Sequence, residues 1–147
     1  MPTTESSLGK RIDHIAIVVQ DLDAVLRVYC DVLGLPLERV EEVPAEKVKV
    51  AFLPLPEGGG EIELVQPTSD DTGIARFLAK RGEGMHHICF EVDDIEAAMT
   101  QMTAAGLQIL EEEPRTGSQG QKYVFIHPKS AHGVLIELYE HPKQAVG

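Results

Sequence analysis

Two histidines and two glutamates in this chain combine residue type and position in a way that suits metal chemistry. In RIDHIAIVV, period-two alternation puts Ile15, Ile17 and Val19 on one face of a strand and His14 on the other, with Ala16 and Val18. In GMHHICFEV, Ile88, Phe90 and Val92 share a face, and His87 lies opposite them with Cys89. Ile62 and Leu64 oppose Glu63, and Ile136 and Leu138 oppose Glu137. Each half therefore presents one imidazole and one carboxylate away from its large aliphatics. Those donors suit borderline divalent ions such as Zn²⁺, Co²⁺, Ni²⁺, Mn²⁺ or Fe²⁺. Two carboxylates neutralise a dication, and four ligands on a six-coordinate ion leave two positions for a substrate. A single histidine of this kind reads more simply as a hydrogen-bonded core residue, but recurrence with a matched glutamate favours a ligand set. Glu63 has Glu61 beside it on the same face, so a solvated strand face competes there. Glu137, in VLIEL, would be costly to bury without a partner.

The pattern recurs because the chain contains a repeat. Setting 11–29 above 84–102, a shift of 73, matches His14 with His87, Ile15 with Ile88, Val19 with Val92, Asp21 with Asp94 and Ala24 with Ala97. Ile62-Glu63-Leu64 then matches Ile136-Glu137-Leu138 at a shift of 74. Two copies, 11–67 and 84–141, are expected within one domain spanning 1–147, too few for a solenoid. Such a duplication would bring both His–Glu sets to a pseudo-twofold axis.

Both copies read β-α-β-β-β. A strand over Ile12–Val19 leads to Asp21, which opens a helix with Leu22, Val25, Leu26 and Tyr29 on one face and Gly34 at its end. In the second copy a strand over Ile88–Val92 precedes a helix carrying Ile95, Met99 and Met102, with Asp93 and Glu96 as a capping-box pair and Gly106 as terminator. Strands are expected at Leu37–Val43, Val48–Leu55 and Glu61–Gln66, then at Leu107–Leu110, Lys122–His127 and Val134–Glu140. Ile74, Phe77 and Leu78 predict a connecting helix within Ser69–Arg81, near 69–82. Pro114–Gln121, with two glycines and no apolar anchor, reads as a flexible loop.

Composition narrows the partners. The 147 residues carry 13 basic and 24 acidic side chains, a net charge of −11, which argues against nucleic acid and anionic membranes. There is no Trp, and aromatics are 5%, so base-stacking platforms are not expected. No run is long and apolar enough to span a bilayer, and Met1–Lys10 has no apolar core of a secretory signal. Cys30 and Cys89 sit in apolar stretches and read as reduced core residues, so a cytoplasmic location is expected.

The duplicated unit, with His on its first strand and Glu on its last, resembles the vicinal oxygen chelate superfamily of glyoxalases, extradiol dioxygenases, bleomycin-resistance proteins and epimerases. IDHIAIVVQDLDAVLRVYCDVLGL, IARFLAKRGEGMHHICFEVDDIEAA and EEPRTGSQGQKYVFIHPKSAHGVLIEL resemble the opening, centre and end of its methylmalonyl-CoA epimerase branch, from about Arg11 to Glu140. The resemblance implies an α+β fold whose βαβββ modules form a half-open barrel-like sheet around a metal site. It implies His14, Glu63, His87 and Glu137 as ligands, with Co²⁺ expected first and Zn²⁺, Ni²⁺ or Mn²⁺ compatible. It also implies epimerisation of (2R)- and (2S)-methylmalonyl-CoA by α-proton abstraction through a metal-stabilised enolate, and a homodimer.

One position departs from the branch. Some members carry a general-base Glu where this chain has Val50, which cannot take a proton. Glu63 stands where those members have Gln, so Glu137 and Glu63 are the expected acid/base pair. An anionic CoA ester meeting an acidic protein needs local cations. Arg115, Lys122 and Lys129, with Ser118 in the intervening loop, are the expected contacts, and Lys80 and Arg81 end the connector. His86 points away from His87 on its strand. His127, His132 and His141 have no counterparts in the first copy and read as surface residues. A glyoxalase-like lactoylglutathione lyase would use the same ligands. A non-catalytic small-molecule binding protein of this fold would need an aromatic groove that 4 Phe and 3 Tyr furnish poorly.

Overall fold

The computed structural model describes residues 8–117 and 119–142. Two compact units divide the chain, one of His14–His86 and the other of Met1–Asp13 with His87–Gly147. The architecture is α+β, with one βαβββ module in each half.

In the first half, β1 (Arg11–Val18) is followed by α1 (Leu22–Leu26), β2 (Arg39–Val43), β3 (Val48–Pro54) and β4 (Glu61–Pro67). The strands pair β2-β3-β4 antiparallel, and β4 runs parallel beside β1. Asp21 starts α1 by accepting from Ala24 N–H. Helix α1 is too short to persist alone. It is held because Leu22, Val25 and Leu26 pack on Val19, Ala51, Leu53 and Leu64. Leu22, the fully buried one of the three, contributes about 1.5–3 kcal/mol. After α1 the chain widens into π-type turns over Arg27–Val32 and ends at Gly34, whose φ of 77° favours glycine.

In the second half, β5 (Gly84–Glu91) leads to α2 (Ile95–Ala104), then β6 (Arg115–Thr116), β7 (Lys122–Ile126) and β8 (Ile136–Glu140). Here β6, β7 and β8 pair antiparallel, and β8 runs parallel beside β5. Ile95, Ala98 and Met102 of α2 pack on Val124, Ile126 and Leu138. The connector is α3 (Gly73–Arg81), which precedes β5 in the chain, with Thr72 accepting from Ala75 N–H at its start.

Four details differ from the sequence reading. Asp94, not Asp93, caps α2, accepting from Glu96 and Ala97 N–H, while Asp93 turns to Lys10. The connecting helix starts at Gly73, after Thr72 at its cap, and Ser69–Asp71 form the turn before it, where Ser69 and Lys47 contact the Asp71 carboxylate. Leu107–Leu110 forms one bridge, Ile109 to Ile126, instead of a strand. The third antiparallel strand of this half is instead β6, inside the expected Pro114–Gln121 loop. That loop has no apolar alternation, so only pairing with β7 makes part of it a strand.

One correspondence links the halves beyond the identities. Leu22 N–H donates to Gln66 Oε1 (2.8 Å), and Ile95 N–H donates to Glu140 Oε1 (2.9 Å). In each half a polar side chain at the end of the last strand satisfies an orphan donor at the start of the helix.

Candidate metal centre and active site

Parallel pairing of the first and last strand of each module brings histidine and glutamate together. In the first half Ala16 pairs with Glu63, so His14, two residues earlier on the same face, stands diagonally beside the carboxylate. His14 Nδ1 lies 3.1 Å from Glu63 Oε2. In the second half Cys89 pairs with Glu137, and His87 again precedes by two. His87 Nε2 lies 3.0 Å from Glu137 Oε1. His14 and Glu137 are buried, at 5% and 6% exposure.

These spacings fit the donor set for a divalent ion. Two donors bound side by side at a right angle, each about 2.1 Å from one ion, stand about 3.0 Å apart. The same spacing is a hydrogen bond when the pair is alone, so each carboxylate keeps a partner either way. Among the described residues, no buried side-chain nitrogen or oxygen lacks one.

Each pair has an aromatic neighbour that the sequence reading missed. Phe52 stands opposite Glu63 in the β3–β4 ladder, and Phe125 opposite Glu137 in the β7–β8 ladder. Phe125 meets the His87 ring edge-on, with centroids 5.4 Å apart and planes at 90°. Such contacts fix ring orientation and contribute about 0.5–1.5 kcal/mol. The signal was available, since Phe52 and Phe125 match at the repeat shift of 73.

The other sequence candidates separate. Val50 lies on the face of Glu63 but is buried with Ala16, Val48 and Val65, and Ile74 of α3 packs on that cluster. Arg115 is the strand partner of Tyr123 and so shares the face of Phe125 and Glu137; its Nε lies 3.8 Å from Glu111. Lys122 belongs to the opposite face, paired with Glu140. Lys129 lies in the short 3₁₀ turn after β7, where its N–H donates to His127 Nδ1. Ser118 lies outside the described residues. His86 packs edge-on against Phe77 of α3 at 5.1 Å. His141 Nε2 sits 2.7 Å from Asp13 Oδ2.

A strand-borne His and Glu in each of two βαβββ modules define a class. Residues 13–125 match the Glyoxalase/Bleomycin resistance protein/Dioxygenase superfamily, and the chain belongs to it. Within that superfamily it is 40% identical to the ethylmalonyl-CoA/methylmalonyl-CoA epimerase of Cereibacter sphaeroides, over 87% of this chain and 96% of that one. The crystal structure of methylmalonyl-CoA epimerase from Mycobacterium tuberculosis superposes with a TM-score of 0.85 at 35% identity, covering 97% of this chain and 94% of that one. A variant of the Streptomyces coelicolor methylmalonyl-CoA epimerase, in complex with 2-nitronate-propionyl-CoA, gives 0.81 at 38% identity, covering 93% of this chain and 100% of that one.

Proposed function

We propose that this chain is a metal-dependent epimerase that interconverts (2R)- and (2S)-methylmalonyl-CoA. The observation that carries the reading is a His–Glu pair at metal-ligand spacing in each module of a chain similar along most of its length to such epimerases. His14 with Glu63 and His87 with Glu137 are the residues we assign to divalent metal, for which we put Co²⁺ first and regard Zn²⁺, Ni²⁺ and Mn²⁺ as compatible with the same donors. When bound, the ion supplies Lewis-acid stabilisation of the negative charge that develops on the thioester oxygen.

The protein's own groups move the proton. Glu137 takes the α-proton from one face; the C–H bond breaks and its electron pair moves toward the acyl oxygen. Glu63, protonated, returns a proton to the opposite face, and the reverse reaction exchanges their roles. The exposure of the Glu63 side chain, 19% against 8% for Glu137, supports its exchanging protons with solvent between turnovers. Val50, an aliphatic in a sealed cluster, takes no part. Arg115 and Lys129 meet the CoA arm, and Lys122 adds charge from the other face of β7.

The protein works as a homodimer in the cytoplasm. Val28, Val32, Leu33, Leu37 and Val40 are large apolar residues exposed within a short stretch, which supports self-association. Cys30 and Cys89 are free thiols, which supports a reducing compartment. No helix among the described residues is long and apolar enough to cross a membrane.

The test is direct. Purified, Co²⁺-loaded protein is assayed with methylmalonyl-CoA and with the methylglyoxal–glutathione adduct. Epimerisation of the first alone is expected; lyase activity without epimerisation reverses the reading. Protein that retains no divalent metal after soaking would instead be a binder of the same fold.

A further inference from the structure

The two halves match in the row of residues that carries each His–Glu pair and differ in the row beside it. In the first half, Val50 stands opposite Val65, and Val65 is the parallel partner of Val18. All three are buried, and Ile74 packs on the cluster that holds Val50 and Val65. In the second half, Tyr123 stands opposite Tyr139, and on its other side its partner is Arg115. The repeat shift of 73 equates Val50 with Tyr123 as it equates Phe52 with Phe125. One half thus lines the neighbourhood of its pair with aliphatics, and the other puts a phenol in the equivalent place.

That phenol is on the correct face. Tyr123 and Phe125 are two residues apart on β7, so they project from the same side. Their rings meet edge-on at 6.2 Å, and Phe125 in turn meets His87. Because Phe125 is directly opposite Glu137, Tyr123 is its diagonal neighbour, a relation long side chains span. Tyr123 is half-buried, while Val50 is sealed. A phenol is also suited chemically: it donates one hydrogen bond while staying neutral. Beside a carboxylate that must accept a proton, a neutral donor assists charge on a substrate oxygen without adding a cation that would weaken the base.

We propose that Tyr123 is a substrate-binding residue whose phenolic O–H donates a hydrogen bond to an acyl oxygen of the thioester held beside Glu137. No proton leaves the phenol. The proposal rests on the epimerase reading of the site.

Tyr123→Phe removes only the hydroxyl and keeps the ring against Phe125. The expected result is a fall in kcat/KM for methylmalonyl-CoA of about 10- to 100-fold, the scale of one lost hydrogen bond to a charged group. Bound metal per chain and Tm stay at wild-type values. Malonyl-CoA, which has no epimer, binds several-fold more weakly in a calorimetric titration. Wild-type kcat/KM together with wild-type malonyl-CoA affinity in Tyr123→Phe overturns the proposal. A loss that tracks lost metal or a lowered Tm also overturns it, because Tyr123 would then act only on the fold. Wild-type protein that neither epimerises methylmalonyl-CoA nor binds malonyl-CoA instead overturns the epimerase reading and takes the proposal with it.

Discussion

Glu137 and Glu63 are chemically identical and differently housed. Glu137 is the more buried and faces His87, whose ring is held edge-on by Phe125. Substituting Glu137→Gln keeps the shape and a hydrogen bond to His87 but removes the proposed base. Exchange of the α-proton of methylmalonyl-CoA with D₂O, followed by NMR, should fall at least about 100-fold, the usual scale of a lost general base. Full exchange in that variant would remove Glu137 from the mechanism. Val50→Ala is the contrasting substitution, because Val50 is packed into an aliphatic cluster and carries no proton. It should lower stability by about 1–2 kcal/mol through lost burial and a small void, read as a shifted denaturation midpoint, while most of the exchange rate remains.

At the scale of elements, each helix start is tied to the last strand of its own module. Gln66 receives Leu22 N–H, and Glu140 receives Ile95 N–H. Removing either acceptor leaves a part-buried donor without its bond, so Gln66→Ala and Glu140→Ala should each cost about 1 kcal/mol, measurable as a drop in Tm of a few degrees. Glu140→Gln keeps the acceptor and should lose less. The approach to α3 depends on charge. The Ser69 hydroxyl, and then Lys47, hold the Asp71 carboxyl at about 2, below its ordinary 3.8. A depressed carboxyl contributes to the fold above its unfolded value and stops contributing as pH falls through about 2. Lys47→Met should move the Asp71 titration, followed by carboxyl NMR, back toward 3.8. An unmoved titration would show that Ser69 alone sets it.

For the whole molecule, an ion bound only by the folded chain adds stability by mass action, about 2.7 kcal/mol at a hundredfold excess over its Kd. Chelation should therefore lower Tm, and adding Co²⁺ back should restore it along with activity. A Tm insensitive to chelator in protein shown to contain metal would argue against the four-ligand set. Sedimentation equilibrium tests the homodimer, and charged substitutions at Val32 and Leu33, the most exposed of the apolar stretch, should shift it toward monomer.

Much of this protein is decided locally. Period-two alternation alone fixes which side of its strand each of His14, Glu63, His87 and Glu137 takes, and the repeat marks them as matched. The helices are legible for the same reason, since their apolar spacing is short-range. Errors fell where long-range pairing makes the structure. Arg115–Thr116 is a strand only because β7 lies beside it, and the cap of the second-half helix falls to Asp94, whose extended backbone and carboxylate meet the Glu96 and Ala97 N–H groups. Spacing matches Phe125 with Phe52 through the repeat, but it could not show that Phe125 meets the His87 ring edge-on or that Tyr123 stands diagonal to Glu137. Cross-strand neighbours are set by ladder register between distant segments, and register exists only once the sheet has formed. The sequence by itself determined the two matched His–Glu sets and the duplicated module. The tertiary structure decided which uncharged side chains stand beside them, Phe52 and Val50 in one half and Phe125 and Tyr123 in the other, because ladder register sets those neighbours.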